Sequence, residues 1–160
     1  MMFREPENKG IDFKLFGYMM DMEEKHPFHN FADIYVSSLG EGLAEAEIPI
    51  SKDHLNMYGF VHGGVYTALA DGTMGLAAAT LNKAAVTTTI NMNYLQKAGK
   101  GDVLKAVATV THSGKKVIYT ECRIYNQSEE LLATAQGTFY VVHDNFVEQY
   151  IEKLRAEGNY

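Results

Sequence analysis

Cysteine is almost absent from this chain of 160 residues. Cys122 is the only one, so an intrachain disulfide and a cysteine-held metal cluster are both ruled out. Arginine is nearly as scarce: Arg4, Arg123 and Arg155 are the whole set, and 14 Lys and Arg against 20 Asp and Glu leave a formal net charge of −6. With no basic patch, duplex DNA or RNA is not an expected partner, because phosphate contacts dominate such affinities. A small anion, which needs only a few lysines, stays possible. Long hydrophobic runs are missing too. The longest candidate, His62 to Leu81, is broken by Asp71 and by Gly63, Gly64, Gly72 and Gly75, whereas a membrane span needs about 20 predominantly apolar residues. The opening MMFREPENKGIDF lacks the apolar core of a secretory signal. No membrane association and a cytoplasmic location are the expectations that follow.

What is present is an ordinary globular composition, 46% hydrophobic and 21% charged. Residues 1–160 are therefore expected to form a single domain with its own core. The stretch HGGVYTALADGTMGLAAATL organises it. A helix that is small or apolar on nearly every side belongs inside a larger body. Asp71 is its only acidic or basic side chain apart from the leading His62. A carboxylate in such surroundings either has partners or carries chemistry.

Around this helix the periodicities are regular. Ile11 to Lys25 has helical spacing and is stopped by His26-Pro27. Phe31 to Leu39 and Leu43 to Ile50 form a hairpin about Gly40-Glu41-Gly42, and Ser51 to Val61 is a polar loop. After the central helix come strands over Ala85 to Leu95, Val103 to Thr111, Lys116 to Tyr125 and Glu130 to Val142, the last three joined by hairpin-length loops. Asn145 to Ala156 is a second amphipathic helix. The predicted architecture is α+β: a curved antiparallel sheet wrapped around a long central helix, with extra N- and C-terminal helices.

The candidate site gathers Asn56, Gly59, His62, Gly63, Gly64 and Asp71. At a helix start the first N–H groups lack intrahelical partners and the dipole is positive. Glycines there let a carbonyl oxygen approach the amides, the geometry of an oxyanion hole. Asp71 lies ~12 Å further along at 1.5 Å rise per residue, too far for both to serve one small group in one chain. Joint action therefore requires a second chain, in a dimer with antiparallel central helices. Singly, Gly59, His62 and Asn56 read as turn and cap residues, and Asp71 equally as a buried acceptor between subunits. Their clustering favours chemistry. His26 and His29 flank Pro27 without an evident carboxylate or cysteine partner, so they read as surface-loop residues and no metal site is expected.

The run NMYGFVHGGVYTALADGTMGLAA resembles the signature of the hotdog-fold thioesterases, in the branch similar to PaaI-type acyl-CoA thioesterases. An Asn, a Gly-x-x-His-Gly-Gly and an Asp nine residues after the His fall on Asn56, Gly59 to Gly64, and Asp71. The resemblance extends through TTTINMNYLQKAGKGD to Val142. It implies a hotdog fold and a homo-oligomer, either a dimer or dimers paired again into a tetramer, with acyl-CoA hydrolysed at the subunit interface. No cofactor is implied. By it, Gly63 offers its N–H to the thioester oxygen, and Asp71 acts as base or nucleophile. Asn56 and His62 position water or the carbonyl, and Thr87 orients water, with Thr88 and Thr89 as competing registers. Gly64, Tyr58, Lys97, Lys115 and Lys116 are the candidate contacts for substrate and CoA phosphates; as turn residues the lysines are equally ordinary solvated side chains. Tyr58, Phe60, Met74 and Met92 are candidate tunnel walls. The rival reading is a non-catalytic acyl-CoA-binding module. A hydratase on the same fold is a third, against which the His-Gly-Gly motif argues.

Overall fold

The computed structural model describes residues 5–158. In chain order its elements are β1 (Glu7–Asn8), α1 (Phe13–Glu24), α2 (Pro27–Phe31), β2 (Tyr35–Gly40), β3 (Leu43–Pro49), α3 (Gly63–Ala79), β4 (Ala84–Tyr94), β5 (Val103–Ser113), β6 (Val117–Tyr125), β7 (Leu131–His143) and α4 (Phe146–Ala156). Seven strands form one sheet in the order β1-β2-β3-β5-β6-β7-β4. Its pairings are antiparallel except for the short β1, which lies parallel to β2. This is the α+β arrangement expected, with α3 packed on the sheet's inner face.

Alternation in the strands builds that face. Ala44, Ala46 and Ile48 of β3 stand opposite Ala108, Ala106 and Leu104 of β5, and all six are fully buried. Their small side chains leave room for α3, which buries Leu69, Ala70, Thr73, Met74 and Ala77. Buried hydroxyls are satisfied locally: Thr73 donates to the Leu69 carbonyl at 2.6 Å, and Thr120 to that of Gly137 at 3.1 Å. Cys122 belongs to this core, and burial pushes its thiol up to about 12, which leaves it inert.

One feature departs from the expected layout. The strand expected from Phe31 begins only at Tyr35, because Pro27 starts a further helical turn instead of merely ending α1. His26 caps that turn, its Nδ1 accepting the His29 N–H at 3.2 Å, and Asp33 at φ +54° redirects the chain into β2. The sequence leaves the placement of β4 open. The strand leaves α3 and crosses to the far side of the sheet, pairing with β7 rather than with β5, and forms the edge of the sheet. The terminal helices pack together where Tyr150 donates to Asp21 at 2.7 Å. No helix among the described residues is long and apolar enough to cross a membrane.

Candidate active site

The loop before α3 is shaped by one side chain. Asn56 Oδ1 accepts the N–H groups of Tyr58 at 2.9 Å and Phe60 at 3.2 Å, while Gly59 supplies the positive φ of +80° that the turn requires. The Asn56 Nδ2 donates to no group among the described residues, so the carboxamide holds the loop with one end and keeps a donor at the other. Tyr58 stands exposed on this loop, and Lys97 lies over the Phe60 ring at 4.6 Å.

His62 then caps α3, its Nδ1 accepting the Gly64 N–H at 2.9 Å. The Gly64 N–H is thereby engaged. Gly63 leads the helix with an N–H that has no carbonyl one turn behind it within the helix, at the positive end of the dipole. A residue that sequence reasoning missed stands over it. Tyr94 of β4 donates to the Gly63 carbonyl at 3.3 Å, and its hydroxyl lies 2.9 Å from Thr67 Oγ1, which also donates to that carbonyl at 3.1 Å. A Cβ on Gly63 would stand 3.4 Å from the Tyr94 hydroxyl, so a larger residue at the helix start crowds this brace. The one signal for Tyr94 was an aromatic ring ending the alternating segment Asn91-Met92-Asn93.

Two turns along α3, half-buried Asp71 accepts a hydrogen bond from Thr87 Oγ1 at 2.6 Å. Thr87 is selected over its neighbours by a bulge. Thr87 faces Phe139 and Thr89 faces Thr138 on β7, so Thr88 is the extra residue, and its hydroxyl turns back to the Thr138 carbonyl at 2.9 Å. Replacing Thr87 with Val keeps the shape and deletes this bond. On the thioesterase reading that the sequence resemblance implies, turnover is expected to fall about tenfold, the size of one lost hydrogen bond, with KM little changed. Steady-state kinetics on the variant check this.

A cleft of about 470 Å³ opens beside Asp71, walled by Gly75, Thr87, Phe139 and Phe146 and closed by the α1–α2 corner. Met74 is fully buried in the core, Met92 half-buried on β4, and Phe60 partly exposed on the loop; of the four expected tunnel residues, none is among those lining the cleft. The expected lysines are not brought together within one chain. Lys97 lies near the start of α3. Lys115 and Lys116 lie in the turn that Lys83 holds through Ser113 and Gly114 at 2.9 Å each, beside the other end of a 17-residue helix.

The surface-loop reading of His26 and His29 is corrected. His29 is buried, and Glu23 supplies the carboxylate that the pair was read as lacking, its Oε2 lying 2.6 Å from His29 Nδ1. The reason is α2, whose extra turn folds His29 back over the last turn of α1 and against α3.

Comparison with known proteins gives a consistent result. The model of the thioesterase superfamily matches residues 58–133. A putative esterase of Archaeoglobus fulgidus is 32% identical over 114 residues, covering 71% of this chain and 74% of that protein. The acyl-coenzyme A thioesterase PaaI of Escherichia coli is 31% identical over 104 residues, covering 65% and 74%. Among solved structures, that of the E. coli PaaI protein superposes with a TM-score of 0.80 at 26% identity, covering 85% of this chain and 99% of that one. A Streptococcus mutans protein solved bound to acetyl-CoA superposes with a TM-score of 0.68 at 28% identity, covering 70% and 90%.

Proposed function

Because the chain belongs to the thioesterase superfamily, in the branch of the PaaI-type hotdog enzymes, we propose that it hydrolyses acyl-CoA thioesters at a site assembled from two copies of itself. One observation carries the mechanism. A helix start with a leading N–H and a carboxylate held by a hydroxyl lie on the same helix, ~12 Å apart at 1.5 Å rise per residue. Neither can serve the other's substrate within one chain. An antiparallel partner helix, docked along the open β4 edge, would bring its Asp71 opposite this chain's Gly63.

In that site the thioester oxygen accepts the Gly63 N–H, with the Asn56 Nδ2 as a second donor nearby. Asp71 of the second chain, oriented by its Thr87, takes a proton from water as the water oxygen bonds to the thioester carbon. Negative charge collects on the former carbonyl oxygen, where a preorganised donor is worth ~3 kcal/mol or more. The oxyanion then collapses, the C–S bond breaks, and the CoA sulfur leaves with the proton. His62 keeps the loop and helix start in register through its cap. The same antiparallel register carries the far end of the partner's helix past this chain's Asn56 loop. Lys115 and Lys116 of one chain would then join Lys97 of the other around the CoA phosphates. The acyl group occupies the cleft beside Asp71.

Thiol release from a panel of acyl-CoAs tests the activity. Saturable release from at least one acyl class is expected, and tight CoA binding without release from any member would instead favour the non-catalytic module. Co-expression of two disabled chains tests the assembly. Asp71→Asn and Gly63→Val chains are each expected to lose nearly all activity as homodimers, whereas a mixed dimer holds one intact site. Random pairing in a two-fold dimer predicts about a quarter of wild-type activity. Mixed dimers with no activity would remove the two-chain site.

A further inference from the structure

On the wall of the cleft, three titratable side chains that the proposed hydrolytic steps do not use converge at the α1–α2 corner. Glu23, His26 and His29 are spaced Glu-x-x-His-x-x-His, and one potential ligand atom of each lies within 4.8 Å of the others. The fold holds two of them firmly. His29 packs so closely on α3 that a Cβ on Gly72 would lie 2.6 Å from its Nε2, and its Nδ1 is 2.6 Å from Glu23 Oε2. His26 is stacked on His29, ring centroids 3.8 Å apart and planes 15° from parallel. An independent observation says the cluster lacks something. The Glu23 side chain is 10% exposed, and its Oε1 is buried with no hydrogen-bond partner. A buried carboxylate oxygen left unsatisfied is costly.

We propose that Glu23, His26 and His29 form a binding site for a divalent transition-metal ion, with Zn²⁺ the best match to the donor set. Two imidazoles and one carboxylate are the protein ligands of an open tetrahedral zinc site, which keeps its fourth position for water. All three residues border the cleft, which gives an ion and its water a way in. Two nearly parallel rings cannot both aim a lone pair at one ion. Half-exposed His26 therefore turns out of the stack on binding, while His29, held against Gly72, gives its Nδ1 lone pair to the ion in place of its hydrogen bond to Glu23. A bound ion would satisfy the orphaned Oε1 and tie the α1–α2 corner to itself. This inference stands independently of thioester hydrolysis.

The test uses the full chain, freed of metal with a chelator and titrated with Zn²⁺ by calorimetry and with Co²⁺ by visible absorption. One ion per chain is expected, with the intense d–d bands of a tetrahedral Co²⁺ site and a raised Tm. Glu23→Gln and His26→Ala, each checked for native circular dichroism, should bind at least ~10-fold more weakly, since even outer-shell losses cost that much. Two results would overturn the proposal: no saturable binding by the wild type, or unchanged affinity in both variants, which would put the ion on other histidines.

Discussion

Asp71→Asn is expected to lower acyl-CoA hydrolysis by about 10²–10⁴-fold, the contribution typical of a positioned general base. The substitution is nearly isosteric, and the amide oxygen can still accept the Thr87 hydroxyl that now lies 2.6 Å from Oδ1. What disappears is the capacity to take a proton from water. The loss should therefore fall on kcat, with KM, Tm and oligomeric state close to wild type. Thiol-release kinetics beside a thermal melt make the check, and an active Asp71→Asn enzyme would end the proposed mechanism. A single turnover in ¹⁸O-water separates the two roles open to this carboxylate. As a base it sends the label directly into the released acid. As a nucleophile it forms an acyl–Asp anhydride as the thiolate leaves, and water attack at the Asp carboxyl carbon sends the Asp oxygen into the first product and the label into the side chain.

The second large effect falls on folding. Gly137, in the middle of β7, has no space for a side chain: a Cβ would meet Phe139 Cε2 and Thr120 Oγ1 at 2.9 Å and Met74 Cε at 3.0 Å. All three neighbours are buried to within 2% exposure, and Thr120 also donates to the Gly137 carbonyl at 3.1 Å, so none can move without disturbing the core. Overpacking of this kind costs about 1–3 kcal/mol for a single methyl. For a chain of this size Gly137→Ala should lower Tm by roughly 3–10 °C, and Gly137→Val by more. Gly75 makes the contrast. It faces the same Phe139 from α3, but at 3.7 Å, an ordinary contact. Gly75→Ala should fold at least as well as wild type, because alanine costs the helix less than glycine. Calorimetric melts of the pair decide whether crowding or glycine loss as such sets the penalty.

Much of the architecture was legible from local pattern, because helix and strand periodicities are short-range properties. The predicted central helix, His62 to Leu81, differs from α3 by one residue at the start and two at the end, and β5, β6 and β7 fall where alternation put them. Errors arose where a single residue had two local uses. Pro27 ends one helix and starts another, and composition does not choose between them; the capping contact from His26 does. The buried state of His29 was hidden for the same reason, since its neighbours in space, Glu23 and Gly72, are six and 43 positions away.

By itself the sequence determined the helix start, its His62 cap, the glycine pair and the carboxylate two turns further on, since helical rise converts that spacing directly into distance. That ~12 Å separation is also what the proposed two-chain site rests on. Tertiary structure alone decided which of three consecutive threonines meets Asp71, that Tyr94 braces the helix start, that β4 lies at an open edge, and that Glu23, His26 and His29 converge. Each of those outcomes depends on where a strand crosses or a bulge falls relative to distant chain, and such register is set by packing across the sheet rather than by neighbours in sequence.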